Sequence, residues 1–596
     1  MVRLPKIYWT KVSNDPEVDV LGVSKLKFSV LAKCFEELEG TSSRLEMTDI
    51  LANLFKDCTA EEIDKVVYML QGTVAPPFRG IEIGMGEKFV QQAISNASGV
   101  SKEEVVKEYK SVGDLGTVVS NLLPKKEGTL TVSQVYDAFM KIATVSGKGT
   151  QEVKINTLTE ILKNSSPQEA KYMVRIPLGK LRLGVGDATI IDALSVKTVG
   201  DKSMREEIER AYNLCCDIGL VAKTLFMDRE AIRNFSIKVG NPIKPALAER
   251  LSSVEEIIDK IGECYAEAKY DGFRIQLHKE GDKIELFSRR IERMTHMFPE
   301  LVQAAREQIK GDAIIEGEAI SYNESTGEFL PFQFTIRRKR KHGVEEMVEQ
   351  YPVVYFAFDM LYNGQDLTKK PYIERRDILE QSISEGDIIK VSEKIRTKDP
   401  EELRRFFDYN IERGLEGIVA KDLNAPYTAG ARKFAWIKLK RSYKGELADT
   451  VDVTIVGYLA GRGTRAKMVG ALLGAVYDEE TETFKTVAKI GSGMTEEQMK
   501  TLKIMLDKIR VENKPKNVDS IIVPDVWTYP KYVITVSADE ITLSPSHTCG
   551  RVHELGYALR FPRMVGWIRE DKKPEDSTTV KEIIEMYEMQ KHAKTS

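Results

Sequence analysis

Residues 267–290 read EAKYDGFRIQLHKEGDKIELFSRR, and the architecture is read outward from this run. Ile275 and Leu277 alternate with polar neighbours, as do Ile284 and Leu286, with Glu280-Gly281-Asp282 between the two series. That pattern predicts an antiparallel hairpin. Lys269, Asp271, Gly272 and Arg274 stand at the head of its first strand. A lysine amine attacks phosphorus only when neutral, a form that nearby cations or a bound metal ion favour. Glycine permits close backbone approach, and the planar fork of arginine suits a phosphate or a ribose. The same residues would also make a solvated hairpin tip, so the rest of the chain must decide.

Downstream, strands are predicted over 313–320, 353–361, 417–421 and 435–440. Glu316-Gly317-Glu318 places two acids on one strand face, and Glu416 immediately precedes another strand. Converging carboxylates suit magnesium, which prefers oxygen ligands, keeps several waters and bridges to nucleotide phosphates; each acid alone is equally a solvated strand residue. Phe358 lies on an apolar strand, where it can stack on a base or fill the core. In Trp436-Ile437-Lys438-Leu439-Lys440, alternation sends both lysines to one face, which calls for an anionic partner or for solvent. After residue 442, further strands at 451–456, 471–477, 484–489 and 532–536 with glycine-rich turns suggest a small barrel, closed by a helix over 582–590. Arg560-Phe561-Pro562-Arg563, then Arg569 to Lys573, concentrate positive charge able to neutralise a leaving pyrophosphate.

Upstream, the texture is helical to about residue 235. Ile50, Leu51, Leu54 and Phe55, then Ile63, Val66, Val67 and Leu70, recur at three- and four-residue spacing. An internal duplication runs through this part: Gly84 and Gly86 pair with Gly184 and Gly186, and Ser95 with Ser195, at one offset. Two glycine-opened helix starts would offer backbone N–H groups to the phosphates of two strands, or would simply be tight turns between helices. Two prolines in Gly240-Asn241-Pro242-Ile243-Lys244-Pro245 mark the first boundary.

At 596 residues, several domains of roughly 150 residues are expected. Lysine plus arginine (88) against aspartate plus glutamate (91) gives −3, so any nucleic-acid contact must come from local patches. Six dispersed cysteines without CxxC spacing suggest neither a disulfide framework nor a zinc site. No apolar run approaches the ~18 residues of a membrane span, and a soluble intracellular protein is expected.

The ordered series of motifs resembles the ATP-dependent DNA ligases of the covalent nucleotidyltransferase superfamily, most closely the archaeal form, over nearly the whole chain. The resemblance implies an all-α DNA-binding domain over 1–237, an α+β nucleotidyltransferase (adenylation) domain over 238–445 and a C-terminal β-barrel OB-fold over 446–596. It implies that Lys269 takes AMP from ATP and passes it to the 5′-phosphate of a nick in duplex DNA, which the 3′-hydroxyl then seals, in replication, repair and recombination. Glu267 would recognise adenine, Arg274 and Arg289 the ribose or nick phosphate, and Phe358 would stack on the base. Glu318 and Glu416 match the metal-associated acids, with magnesium as the ion and manganese as a substitute. Lys421, Lys438 and Lys440 match phosphate-contacting lysines. Arg432 joins the nucleotide site, and Arg560, Arg563 and Lys572 belong to the motif that assists adenylation. Gly84, Gly86, Gly184, Gly186, Arg462, Arg465 and Lys467 are expected at the DNA.

Two positions depart from the family pattern: Arg290 replaces a frequent asparagine and Thr535 a frequent glutamate. Arg337 to Lys341 is read as a basic loop beside DNA in preference to a nuclear address. Family habit implies a sliding-clamp partner for a monomeric enzyme. The segment 400–407, which superficially resembles a clamp-docking peptide, is read as core through Leu403, Phe406 and Phe407. RNA ligation and guanylylation of RNA ends share the lysine motif but need no helical front. A non-catalytic DNA clamp would not need Lys269 or the acids, and an NAD-dependent ligase would carry a cysteine-rich zinc module.

Overall fold

The computed structural model describes residues 25–322, 329, 335, 348, 351–384, 386–413, 415–440, 450–461 and 468–595. From Phe28–Gly40 to Arg229–Arg233 the described chain is helical. Helix starts follow from local chemistry. Ser43, Asp114 and Ser166 each accept the backbone N–H three residues on, and Glu169 completes a capping box. Leu51, Leu54, Phe55, Ile63, Val66, Val67 and Leu70 are buried in one continuous cluster that runs from Leu26 to Ile232.

The duplication is geometric as well as sequential. Gly84 and Gly184 both adopt left-handed backbone (φ +49° and +74°), and the helices Glu87–Ser98 and Asp187–Val199 start three residues later. Each helix ends at a left-handed glycine, Gly99 or Gly200. Tyr109 donates to Glu87 and Tyr212 to Asp187, so the leading acid of each helix is held by a tyrosine of the next one.

The middle of the chain builds two five-stranded sheets. One is ordered Leu247–Arg250, Arg432–Lys440, Gly417–Asp422, Cys264–Lys269, Lys394–Thr397. The other is ordered Lys283–Ser288, Phe273–Glu280, Ala313–Ser321, Val353–Tyr362, Ile389–Val391. The expected hairpin pairs Ile275 with Ser288 through Glu280 with Lys283, and turns at Gly281 (φ +56°). Helices Val254–Ile261 and Pro400–Glu412 cover the first sheet, with Leu403 and Phe406 buried and Phe407 partly buried against Ile418, Ile437 and Leu439. The clamp-like segment is core.

The C-terminal region is strand-rich. Val451–Ala460, Val469–Asp478 and Thr483–Ile490 form a meander, and Val533–Ser537 returns to pair with the first strand. Val533–Ser537 also pairs with Arg563–Ile568, and Arg563 forms a single bridge to Ser492, just beyond the end of Thr483–Ile490. The last helix is Val580–Thr595. Among the described residues, no helix is long and apolar enough to cross a membrane, and the six cysteines are free thiols.

Candidate active site

Strand register assembles the reactive face. Lys269 lies opposite Gly417, and Gly417 lies opposite Lys440, so three residues form a row across three strands. Two positions along, Glu267, Val419 and Lys438 form the parallel row. Gly417 has φ +144°, and a Cβ there would stand 2.0 Å from the Leu439 carbonyl oxygen, so only glycine fits between the two lysines. Lys269 donates to the carboxylate of Glu416, and Lys440 Nζ lies 3.5 Å from the same group. Burial alone would raise the Glu416 carboxyl, but Lys269 and Lys440 overcome it and hold the acid well below its ordinary range. Gly272 is equally constrained, since a Cβ would meet the Ala319 carbonyl at 2.5 Å.

Lys269 opens into a cavity of about 300 Å³ whose walls include Glu267, Arg274, Phe358 and Trp436. Glu267, in its wall, is buried. Arg376 Nη1 donates to it at 2.9 Å and Lys421 Nζ at 3.0 Å, and Tyr372 donates to it while accepting from Lys421 at 3.0 Å. Lys421, expected among phosphate-contacting lysines, sits beside Glu267 with Phe358, Tyr372 and Trp436 around it at 4.4–4.6 Å. Burial pulls its amine below the ordinary range even with Glu267 alongside. Tyr372, Arg375 and Arg376 come from one helix, Tyr372–Ser382, that the motif reading left out. Adjacent arginines on a helix read as solvated charge, and only tertiary packing shows both to be buried.

The two strand acids divide. Glu316 is consumed by structure, accepting from Arg274 (2.7 Å), Tyr427 (2.8 Å) and Gln276 (3.3 Å). Arg274 also donates to the Ala246 carbonyl, while its Nε is buried without a hydrogen-bond partner among the described residues. Glu318 faces the cavity. Burial raises its carboxyl to about 7, with Lys269 and Arg274 opposing the rise and Asp271 and Glu416 adding to it. Like charges gathered in this way fit a cation. Among the described residues no three acids, histidines or cysteines form a complete cage, so an ion here would need substrate oxygens and water as well.

The C-terminal region supplies the facing wall. Asp452, Arg569, Asp571, Lys572 and Glu582 all line the cavity. Lys572 pairs with Asp452, Thr535 donates to Asp452 at 2.7 Å, and Arg569 grips Asp571 through bonds of 2.8 and 2.7 Å. Lys438 Nζ meets Glu582 at 3.2 Å, so both cavity-facing lysines of that strand have carboxylate partners. Arg289 also lines the cavity, and Arg290 donates to the Glu570 carbonyl from beside it. Arg560 and Arg563 stand apart from this cavity, paired with Glu540 and Asp539. Arg432 lies on a cavity strand, its side chain outside the described part. Arg462, Arg465, Lys467 and the basic run 337–341 fall outside the described residues.

Three family models match in order: "DNA ligase N terminus" over 27–195, "ATP dependent DNA ligase domain" over 245–440 and "ATP dependent DNA ligase C terminal region" over 465–572. The protein named "Probable DNA ligase" from Dictyoglomus turgidum is 54% identical over 572 residues, spanning 95% of this chain and 98% of that protein. "DNA ligase 2" from Thermofilum pendens is 46% identical, over 95% and 98% of the two chains. "Probable DNA ligase" from Aquifex aeolicus is 44% identical, over 95% and 99%.

Proposed function

The chain belongs to the ATP-dependent DNA ligase family, and on that premise we propose that Lys269 is the residue that carries adenylate. Its Nζ attacks the α-phosphorus of ATP, forming a P–N bond as pyrophosphate leaves. An oxygen of the 5′-phosphate at a nick then attacks that phosphorus and the lysine departs, leaving AMP on the DNA. The 3′-hydroxyl finally attacks the 5′-phosphate, and AMP leaves as the strand closes. What carries this reading is the position of Lys269, set in a ladder and opening into a cavity that the buried Glu267 also lines.

Glu267 would read the adenine edge, and Phe358 would lie against its face. Arg274 has a buried, unpartnered Nε to offer a ribose or phosphate. Lys438 and Lys440 would exchange Glu582 and Glu416 for phosphate oxygens. Glu318, with Glu416 once it is released, would hold magnesium or manganese, which when bound offsets phosphate charge. Lys572 and Arg569 stand closer to this chemistry than Arg560 and Arg563, which would need the C-terminal domain to move.

The proposed domains are 1–237, 238–445 and 446–596, the last an OB-fold whose meander and returning strand supply much of a barrel. The substrate would be nicked duplex DNA in replication, repair and recombination, with a monomeric cytoplasmic enzyme and a sliding clamp as its partner. A match to "DNA ligase N terminus" over 27–195 favours DNA over the RNA-directed readings. The test is incubation with α-labelled ATP and denaturing electrophoresis. The wild type should carry label and Lys269→Ala none, and a labelled Lys269→Ala band would mean another nucleophile.

A further inference from the structure

Arg376 and Tyr372, from a helix that no motif singled out, are both committed to Glu267. Arg376 is 1% exposed and all of its guanidinium nitrogens are engaged. Nη1 donates to Glu267 Oε1 at 2.9 Å, Nε to Glu380 Oε1 at 2.9 Å, and Nη2 to the Ser392 carbonyl. Glu380, at the rim, is held in turn by Lys394. The guanidinium is therefore fixed in its plane and cannot swing away from Glu267. Tyr372, fully buried, donates to the same Oε1, and its hydroxyl lies 2.8 Å from the Phe358 carbonyl. One ring thus ties the strand of Phe358 to the strand of Glu267.

An ionised carboxylate offers about four accepting positions. Arg376 and Tyr372 fill those of Oε1, and Lys421 Nζ fills one of Oε2 at 3.0 Å, which leaves about one position among the described residues, on Oε2. Set among these donors, two of them cationic, Glu267 can serve only as an acceptor. It lines the cavity into which Lys269 opens. A lone acceptor facing a base takes a hydrogen from a 6-amino purine. A 6-oxo purine in the same pose sets oxygen against oxygen and leaves both unpaired.

We propose that Arg376 and Tyr372 are positioning residues for nucleobase choice: they hold Glu267 in one orientation with one accepting position free, which selects a 6-amino purine over a 6-oxo purine. Both act through Glu267 rather than on the nucleotide. The inference rests on the reading that the cavity holds ATP with its base edge at Glu267.

The test is covalent labelling of the full chain by α-labelled ATP and by α-labelled ITP, the 6-oxo counterpart, followed over a range of nucleotide concentrations. At low nucleotide, wild type should favour ATP by at least about 100-fold. Arg376→Met frees Glu267 to turn, and the ATP-to-ITP ratio should fall by about tenfold, mainly through a higher KM for ATP. Arg376→Lys should recover only part of it, because an ammonium does not reproduce the planar fork that spans Glu267, Glu380 and Ser392. Tyr372→Phe keeps the ring, loses one donor and should lower the ratio by about threefold. A loss of rate that is equal for the two nucleotides would mark a purely structural role and overturn the inference. Should Arg376→Met fail to fold, as its thermal midpoint would show, an unchanged ratio in Tyr372→Phe overturns it alone. Wild type labelled equally by both nucleotides would overturn it too, whereas wild type labelled by neither would overturn the reading of Lys269 beneath it.

Discussion

Arg375 meets Asp359 through two hydrogen bonds of 2.9 Å, and neither side chain has any contact with solvent. The pair clamps the helix Tyr372–Ser382 to the strand Val353–Tyr362. Its neighbours in sequence do the chemistry's groundwork, since Phe358 lines the cavity and Arg376 holds Glu267. Removing one partner of such a pair leaves an uncompensated buried charge, at a cost of about 3–5 kcal/mol. Arg375→Met should lose that much stability in urea unfolding of the full chain. Arg375→Lys should recover little, because an ammonium cannot reproduce the parallel bonds.

Glu416 ties up both Lys269 and Lys440. Glu416→Gln removes the charge and keeps the shape, so covalent labelling by ATP should fall by roughly 100-fold if the carboxylate positions the amine. Single-turnover labelling at saturating ATP reads this directly. An unchanged rate would mean that the pair is only a resting contact.

Glu318 predicts how magnesium demand depends on pH. Its carboxyl sits at about 7 through burial, and a metal ion needs the ionised form. The magnesium concentration for half-maximal labelling should therefore rise about tenfold for each pH unit below 7 and level off above it. Glu318→Gln should need more metal at every pH and show a flat profile.

His278 links acidity to stability. Its Nδ1 accepts from the Gly240 N–H at 3.0 Å, and its Nε2 lies 2.9 Å from the Gln276 side-chain oxygen, a pairing that suits only the neutral ring. Burial lowers the imidazole to about 3 from an ordinary 6.5. The unfolded chain thus takes up a proton that the folded chain refuses, and stability should fall as pH drops below 6.5, by up to about 1.4 kcal/mol per unit. Unfolding curves between pH 7 and 5 should show this slope, flattened in His278→Gln.

Much of this was legible beforehand because it rests on alternation and on glycine. The hairpin at Gly281, the close approach at Gly272 and the common face of Lys438 and Lys440 follow from period two and from the missing Cβ. The leading residues Lys269, Glu267, Arg274, Glu318 and Phe358 do line one cavity. What escaped depends on chain segments meeting far apart in sequence. Arg375 and Arg376 look like surface charge until a sheet covers them, and Asp452 and Asp571 form no local pattern at all. Lys421 meets Glu267 because its strand pairs with the strand of Glu267, setting Val419 opposite Glu267 and Lys421 opposite Tyr265, a pairing that spacing alone does not specify.

The row of Lys269, Gly417 and Lys440 has one more consequence. The backbone that carries this amine is anchored in a ladder against Gly417, so only the torsions of its own side chain move it, unlike an amine on a loop. Whatever reacts with it must be delivered, so the adaptable parts of the machine are the substrates and the flanking domains, while the bench on which they meet stays still.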